Sequence, residues 1–198
     1  PTEQQRIVAG MLSKENLLKI IENYILFSTD EKDKAIKIVG RYQQFRAVEV
    51  INKRLLSGKN AKERSGIIWH TQGSGKSLTM MFTVKAMYKI PELSKWKVIF
   101  LTDRTQLEEQ LTTTSKSIGY KVKVAHSISK LKELISNTNS DLVMAMIHKF
   151  QERDLNEIFP ELNSSPNILI MIDEAHRSQY KLLGANLDKA LPNATKIA

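Results

Sequence analysis

One stretch of the chain combines the residue types that hold phosphate groups. Residues 70 to 77 read His-Thr-Gln-Gly-Ser-Gly-Lys-Ser and directly follow the apolar run Gly-Ile-Ile-Trp. A strand, a glycine-rich turn and a helix in this order are typical of a phosphate-binding loop. Its glycines let backbone N–H groups approach the phosphates, its lysine contacts the phosphate oxygens, and its hydroxyl binds Mg²⁺. Gly75, Lys76 and Ser77 occupy those places. His70 stands where the pattern has its first glycine, so an ordinary glycine-rich turn is the alternative.

A second stretch places two carboxylates at the end of an apolar run. Residues 167 to 172 read Asn-Ile-Leu-Ile-Met-Ile and are followed by Asp173 and Glu174. Such a run predicts a buried parallel strand, and its carboxyl end lies in the crevice where open α/β sheets bind ligands. The alternative is that Asp173 caps the next helix and Glu174 favours its first turn. The upstream phosphate loop favours a shared nucleotide site.

Phosphoryl transfer assigns a role to each of these side chains. The reaction needs Mg²⁺ on the phosphate oxygens, a group that orients water, and a cation beside the developing charge. We expect Ser77 and Asp173 to hold Mg²⁺, Lys76 to neutralise the phosphates of ATP, and Glu174 to act on the attacking water. Lys76, Asp173 and Glu174 are thus the candidate catalytic residues. His176 is expected to couple structural elements and not to bind the metal.

The sequence Asp-Glu-Ala-His after a phosphate loop resembles the DEAH-type boxes of superfamily 2 helicases and translocases. Residues 41 to 47, Arg-Tyr-Gln-Gln-Phe-Arg-Ala, resemble their adenine-reading Q motif, and the resemblance assigns the adenine contact to Gln43. A glutamine amide offers the donor and the acceptor that adenine needs. The alternative is an ordinary amphipathic helix with a buried stripe at helical spacing, formed by Tyr42, Phe45, Val48 and Ile51.

Two further segments resemble motifs that meet a nucleic-acid backbone. Residues 98 to 107 resemble motif Ia, a strand ending in a polar turn, with Thr102 and Arg104 as candidate DNA contacts. Residues 142 to 151 resemble the next strand and turn, with Lys149 available to a phosphate. Ala145 and Met146 stand where many relatives carry threonines.

Together these segments resemble the R subunit of type I restriction enzymes. The resemblance implies a RecA-like first motor lobe of an ATP-driven translocase on double-stranded DNA, with modification and specificity subunits as partners. It implies residues 36–198 as the ATP-binding lobe and 1–35 as a helical extension toward an upstream domain. The nucleotide would contact a continuous stretch, namely Gln72, Gly73, Ser74, Gly75, Lys76, Ser77 and Leu78.

Composition agrees with a nucleic-acid partner. The 198 residues include 30 Lys and Arg against 21 Asp and Glu, a net charge of +9, and residues 31–64 alone hold ten basic and four acidic side chains. Such an excess favours a polyanion, although a solvated helical face is an alternative. No long apolar run or signal peptide predicts membrane binding. The chain contains no cysteine, which excludes disulfides and fits the reducing cytoplasm, where we expect the protein, as well as other compartments.

Periodicity predicts an α/β fold, a mainly parallel sheet with helices on both faces. We expect helices over 14–27, 75–89 and 127–136, a connector over 28–33, and strands over 66–71, 97–102, 120–125, 141–147 and 167–172. The chain reads as cut at both ends, without a nuclease site and without the arginine fingers of a second lobe. We therefore expect no DNA cleavage and little ATP hydrolysis, since an arginine finger contributes about 10³ to 10⁵ in turnover.

Two other functions fit the same motifs. A different superfamily 2 motor, such as an RNA helicase or a remodeller, would carry the same phosphate loop and DEAH box. A nucleotide-dependent DNA-binding module without turnover would also use them. Stimulation of ATP hydrolysis by duplex DNA or by RNA distinguishes these alternatives.

Overall fold

A parallel sheet forms the centre of the protein. The computed structural model describes residues 2–29, 34–69, 71, 73–103, 108, 111–112, 114–115, 119–150, 159–173 and 180–198. In chain order the strands of the protein are β1 (Ile25–Thr29), β2 (Ala35–Val39), β3 (Lys97–Thr102), β4 (Val122–Val124), β5 (Leu142–Met146), β6 (Ile168–Ile172) and β7 (Thr195–Ile197).

Strands β3 to β7 form one five-stranded sheet in the order β4-β5-β3-β6-β7, and every pairing in it is parallel. The pairings align one residue of each strand in a single row across the sheet, namely Val124, Met144, Phe100, Met171 and Ile197. Because parallel strands all end at the same edge, their following turns gather there. The predicted mainly parallel sheet is confirmed.

The segment before the phosphate loop extends this sheet beside β7. Gly66 bridges Ile197 in parallel, and the N–H of Ile68 donates to the carbonyl of Ala198 at 2.7 Å. In the described part of the predicted strand over 66–71, the pairing consists of a single bridge with flanking hydrogen bonds.

Helices cover both faces of the sheet. Residues of β3 alternate between them: Val98 and Phe100 pack in one core cluster, Ile99 and Leu101 in the other. The helices are α1 (Glu3–Leu12), α2 (Lys14–Asn23), α3 (Tyr42–Ser57), α4 (Ala61–Arg64), α5 (Lys76–Met87), α6 (Ile128–Ser136) and α7 (Tyr180–Ala190). Helices α3 and α5 pack on the first face, and α6 and α7 on the second.

The N-terminal part differs from the sequence prediction. The helix expected over 14–27 ends at Asn23, and Ile25–Thr29 instead form β1, which pairs antiparallel with β2. Apolar residues at these positions satisfy either period, and pairing with β2 decides for the strand. The boundary proposed at residue 35 falls within this hairpin. Among the described residues, no helix combines the length and apolar character needed to cross a bilayer.

Candidate functional site

The phosphate loop has the backbone shape that its glycines permit. Gly73 and Gly75 have φ values of +76° and +85°, in the left-handed region that other residues rarely adopt. A Cβ at Gly73 would meet nothing within 4 Å, so the backbone there faces open space. Helix α5 begins immediately afterwards at Lys76, with Gly75 as its N-cap.

The first turn of α5 presents unused donors. No side chain caps this helix end, and the hydroxyl of Ser74 is buried without a hydrogen-bond partner among the described residues. Free backbone N–H groups, the helix dipole and an adjacent hydroxyl together fit an anion such as a phosphate. Lys76, Ser77 and Leu78 are partly buried, and Leu78 packs against the core between α3 and α5.

Asp173 lies at the same edge of the sheet as this loop. Its backbone N–H donates to the carbonyl of Leu101 at 3.0 Å, which continues the pairing of β6 with β3. Gly66 and Met171 both pair with Ile197, so they are level with each other across the sheet. Two residues further along the chain, Asp173 is therefore level with Ile68, which lies two strands away across the sheet. Neighbouring strands are about 4.8 Å apart, so these backbones lie about 10 Å apart. The phosphate loop follows Ile68 along the chain, so Asp173 and the loop lie at the same end of the sheet.

A glutamine of α3 contacts the loop directly. The side-chain nitrogen of Gln44 donates to the carbonyl of Gly75 at 3.1 Å and lies 3.4 Å from that of Ser74. Its side-chain oxygen accepts from the N–H of Arg41 at 2.8 Å, which fixes the orientation of the amide. Gln44 is buried, whereas the predicted Gln43 is exposed. Successive side chains on a helix lie about 100° apart around its axis, so Gln44 lies on the buried face while Gln43 lies on the exposed one.

The sequence contained a signal for Gln44. It precedes the buried Val48 by one helical turn, so it lies on the inner face of α3. Tyr42, which the sequence placed in the buried stripe, is only partly buried at the start of the helix. A polar residue on a mainly apolar helix face, such as Gln44 or the buried Asn52, indicates a buried polar contact.

The remaining predicted site residues divide into two groups. Gln72, Arg104 and Glu174, with His70 and His176, lie outside the described residues. Thr102 is fully buried at the end of β3, so its side chain presents no surface to DNA in this structure. Lys149 follows β5 in a short 3₁₀ helix (Ile147–Lys149), and its ammonium donates to the carbonyl of His126 at 3.0 Å.

Groups with shifted pKa values lie away from the loop. Burial raises the pKa of the Tyr24 hydroxyl, and the neighbouring Glu49 carboxylate raises it further. Burial also lowers the pKa of Lys85, in the last part of α5, and of Lys97, at the start of β3. Lys97 donates to the carbonyl of Leu134 at 2.6 Å, at the sheet edge opposite the loop. These shifts reflect packing between elements and not the chemistry of the phosphate loop.

A glycine turn before a helix and an acidic strand end, at the same end of a five-stranded parallel sheet, are typical of the α/β fold of RecA-like motor lobes. The family model for SWI2/SNF2 ATPases matches residues 43–198. The chain belongs to this family.

Curated relatives narrow the comparison. The chain is 40% identical over 197 residues to the putative type I restriction enzyme MjaIXP endonuclease subunit of Methanocaldococcus jannaschii, covering 97% of the chain and 18% of the relative. It is 32% identical over 214 residues to the type I restriction enzyme HindI endonuclease subunit of Haemophilus influenzae, covering 98% and 20%. The chain thus spans about a fifth of the length of these relatives. The resemblance to type I restriction subunits predicted from the sequence is confirmed.

Solved structures support the fold. The Sulfolobus solfataricus SWI2/SNF2 ATPase core in complex with dsDNA superposes with a TM-score of 0.51 at 16% identity, covering 78% of this chain and 31% of that one. A nuclease-deletion mutant of the Type ISP restriction-modification enzyme LlaGI, in complex with a DNA substrate mimic, gives 0.51 at 20% identity, covering 81% and 17%.

Proposed function

We propose that this chain is the ATP-binding motor lobe of the endonuclease subunit of a type I restriction enzyme. The observation that carries the proposal is the pair of left-handed glycines, Gly73 and Gly75, placed before α5 at the same sheet edge as Asp173. The curated relatives, which are type I restriction endonuclease subunits, supply the biological setting.

Different residues at the loop and at the end of β6 would contact the phosphates of ATP and its Mg²⁺ ion. The backbone of residues 73–77 would surround the phosphates, and Lys76 would add a positive charge to them. Ser77 and Asp173 would hold Mg²⁺, which when bound neutralises charge on the phosphate oxygens. Glu174, next to Asp173 in sequence, is proposed to orient the attacking water.

Gln44 is the residue we propose for adenine recognition, in place of Gln43. Its oxygen accepts one hydrogen bond and retains a second lone pair, and one of its two N–H groups makes only the 3.4 Å contact with Ser74. The amide therefore has a donor and an acceptor beyond its contacts with Arg41 and Gly75. Because Gln44 is buried, an adenine would reach these groups only when the residues that cover them move aside. Such an arrangement would link the base to the phosphate loop.

Double-stranded DNA is the proposed polymer, with modification and specificity subunits as partners. The structural neighbours include complexes with dsDNA and a DNA substrate mimic, and the chain carries a net charge of +9. Lys149, beyond the carboxyl end of β5, is the described candidate for a phosphate contact. In this setting the chain would act in the cytoplasm, in ATP-driven translocation that leads to DNA cleavage by the whole enzyme.

The experiment measures ATP hydrolysis by the full-length protein with no nucleic acid, with duplex DNA and with RNA. We expect duplex DNA to stimulate hydrolysis, and Lys76→Ala to lower the stimulated rate by at least about a hundredfold. Lys89→Ala is the matched control, because this exposed lysine just beyond α5 only pairs with Glu22. Stimulation by RNA alone would favour another superfamily 2 motor. ATP-dependent DNA binding without turnover would favour a binding module.

A further inference from the structure

The N-terminal hairpin and helix α2 contact both helices that carry the nucleotide site. Tyr24, between α2 and β1, is fully buried between two rings. Its ring centroid lies 5.1 Å from that of Phe45 on α3, edge to face, and 5.5 Å from that of Phe82 on α5. A single aromatic side chain thus packs against both α3 and α5, which also pack directly on each other.

Both ring partners of Tyr24 are close in sequence to nucleotide-site residues. Phe45 directly follows Gln44, and Phe82 lies six positions after Lys76 on the same helix. Leu78, in the first turn of α5, packs against the same cluster. Since protein interiors are close-packed, a change in the volume of the Tyr24 side chain shifts both rings and the helices that carry them.

Polar contacts fix Tyr24 and its neighbours in place. The Tyr24 hydroxyl donates to Glu49 on α3 at 3.0 Å, and Lys19 on α2 contacts the same carboxylate at 2.6 Å. From α5, Lys85 donates to the carbonyl of Ile25 at 2.7 Å. The N–H of Gly40, just before α3, donates to the carbonyl of Tyr24 at 2.8 Å. The extension is therefore held against both helices by packing and by hydrogen bonds.

We propose that Tyr24 is a positioning residue for base recognition: it packs against Phe45 on α3 and Phe82 on α5 where these helices meet, and so holds the Gln44 amide on the Gly75 carbonyl. The inference rests on the proposed role of Gln44 in reading adenine. An amide that must reach a base edge and a loop carbonyl together tolerates little displacement, because hydrogen bonds weaken steeply with poor geometry.

Selection of ATP over GTP tests the inference, since a purely structural role would not change it. The full-length protein is titrated with a fluorescent nucleotide, and ATP or GTP competes for the site. We expect Tyr24→Leu to reduce the ratio of the GTP Kd to the ATP Kd about fivefold, the value of one hydrogen bond. Tyr24→Phe retains the ring and should stay within about twofold of the wild-type ratio.

Tyr88→Leu is the matched control for a lost ring. Tyr88 follows α5 and pairs edge to face with Tyr120 at 5.3 Å, away from the loop. The Tyr88→Leu variant should lower the midpoint temperature of unfolding and leave the ratio of the GTP Kd to the ATP Kd unchanged. If Tyr24→Leu does not fold, Phe82→Leu replaces it, because that change removes the facing ring on α5, and the same fall in ratio is expected.

Gln44→Ala separates the inference from the function on which it rests. If Gln44→Ala abolishes selection of ATP while the ring variants keep it, the positioning role of Tyr24 is overturned and adenine reading stands. Equal weakening of ATP and GTP by Tyr24→Leu also overturns the positioning role. If Gln44→Ala retains full selection, both proposals are wrong.

Discussion

The side-chain nitrogen of Gln44 lies 3.1 Å from the carbonyl oxygen of Gly75, the residue that caps α5. This contact joins two segments that are 31 positions apart in the sequence. It also leaves no space beside Gly75, where an added Cβ would lie 2.5 Å from the same nitrogen. The loop and α3 therefore constrain each other, and substitutions on either side should reveal it.

The two left-handed glycines of the loop provide a matched pair. Gly73→Ala and Gly75→Ala both introduce a side chain at positive φ, at a cost of about 1 to 2 kcal/mol each. Only the Cβ at position 75 meets Gln44. We expect Gly75→Ala to destabilise the protein by about 1 kcal/mol more than Gly73→Ala in urea denaturation. Combining it with Gln44→Ala should cost less than the sum of the single changes; strict additivity would contradict the contact.

Neighbouring glutamines on α3 should differ in their effect on stability. Gln44→Ala leaves the partly buried N–H of Arg41 and the carbonyl of Gly75 without this partner, so we expect a loss of about 1 to 3 kcal/mol in the free energy of unfolding. Gln43→Ala removes an exposed side chain and should change it by less than about 0.5 kcal/mol. Chemical denaturation of the two variants measures both values, and equal losses would contradict the assignment of Gln44.

The central strands could be predicted from sequence because their surroundings are simple. Strand β3 occupies Lys97–Thr102, the predicted range, and β5 and β6 end within a residue of prediction. All residues of β3 and β5 are buried, and a strand covered on both faces reads as a continuous apolar run. The glycine turn before α5 could be predicted as well, because positive φ at Gly73 and Gly75 has a local cause.

What the sequence did not determine depends on long-range pairing. Residues 25 to 29 fit a helix or a strand equally well, and only β2, across the turn, selects the strand. The choice between Gln43 and Gln44 required the rotation of α3 relative to the loop. The third core cluster, around Tyr24, joins residues of α2, α3 and α5. Because these helices are distant in sequence, no local pattern predicts the cluster.

Alkaline pH should destabilise the protein through its buried tyrosines. Burial raises the pKa of Tyr88 above its ordinary value of 10.0, and Tyr120 and Asp141 raise it further. Above pH 10 the unfolded chain can ionise this tyrosine while the folded one keeps its proton, so its contribution to stability is present below pH 10 and is lost as pH rises. One such group changes the free energy of unfolding by at most about 1.4 kcal/mol per pH unit.

Tyr88→Phe should therefore flatten the loss of stability above pH 10, and leave its slope near neutral pH unchanged. Urea denaturation followed by circular dichroism at several values from pH 8 to 12 measures the slope. An unchanged slope above pH 10 in the variant would show that Tyr88 does not contribute. Tyr24 carries a shift of the same direction, so some loss of stability should persist in Tyr88→Phe.

The proposed DNA contact at Lys149 predicts a change in salt dependence. Lys149 follows β5 at the carboxyl edge of the sheet, where Asp173 and the phosphate loop also lie. Each phosphate contact releases about one counterion, so Lys149→Ala should reduce the slope of log K against log salt by about 1, with similar weakening for every duplex sequence.

Lys95→Ala is the control, because Lys95 is exposed just before β3, at the opposite edge. Fluorescence anisotropy of labelled duplex DNA at several salt concentrations measures both slopes. Equal slopes for Lys149→Ala and the wild type would exclude a phosphate contact at this residue and place the DNA contacts of the chain elsewhere.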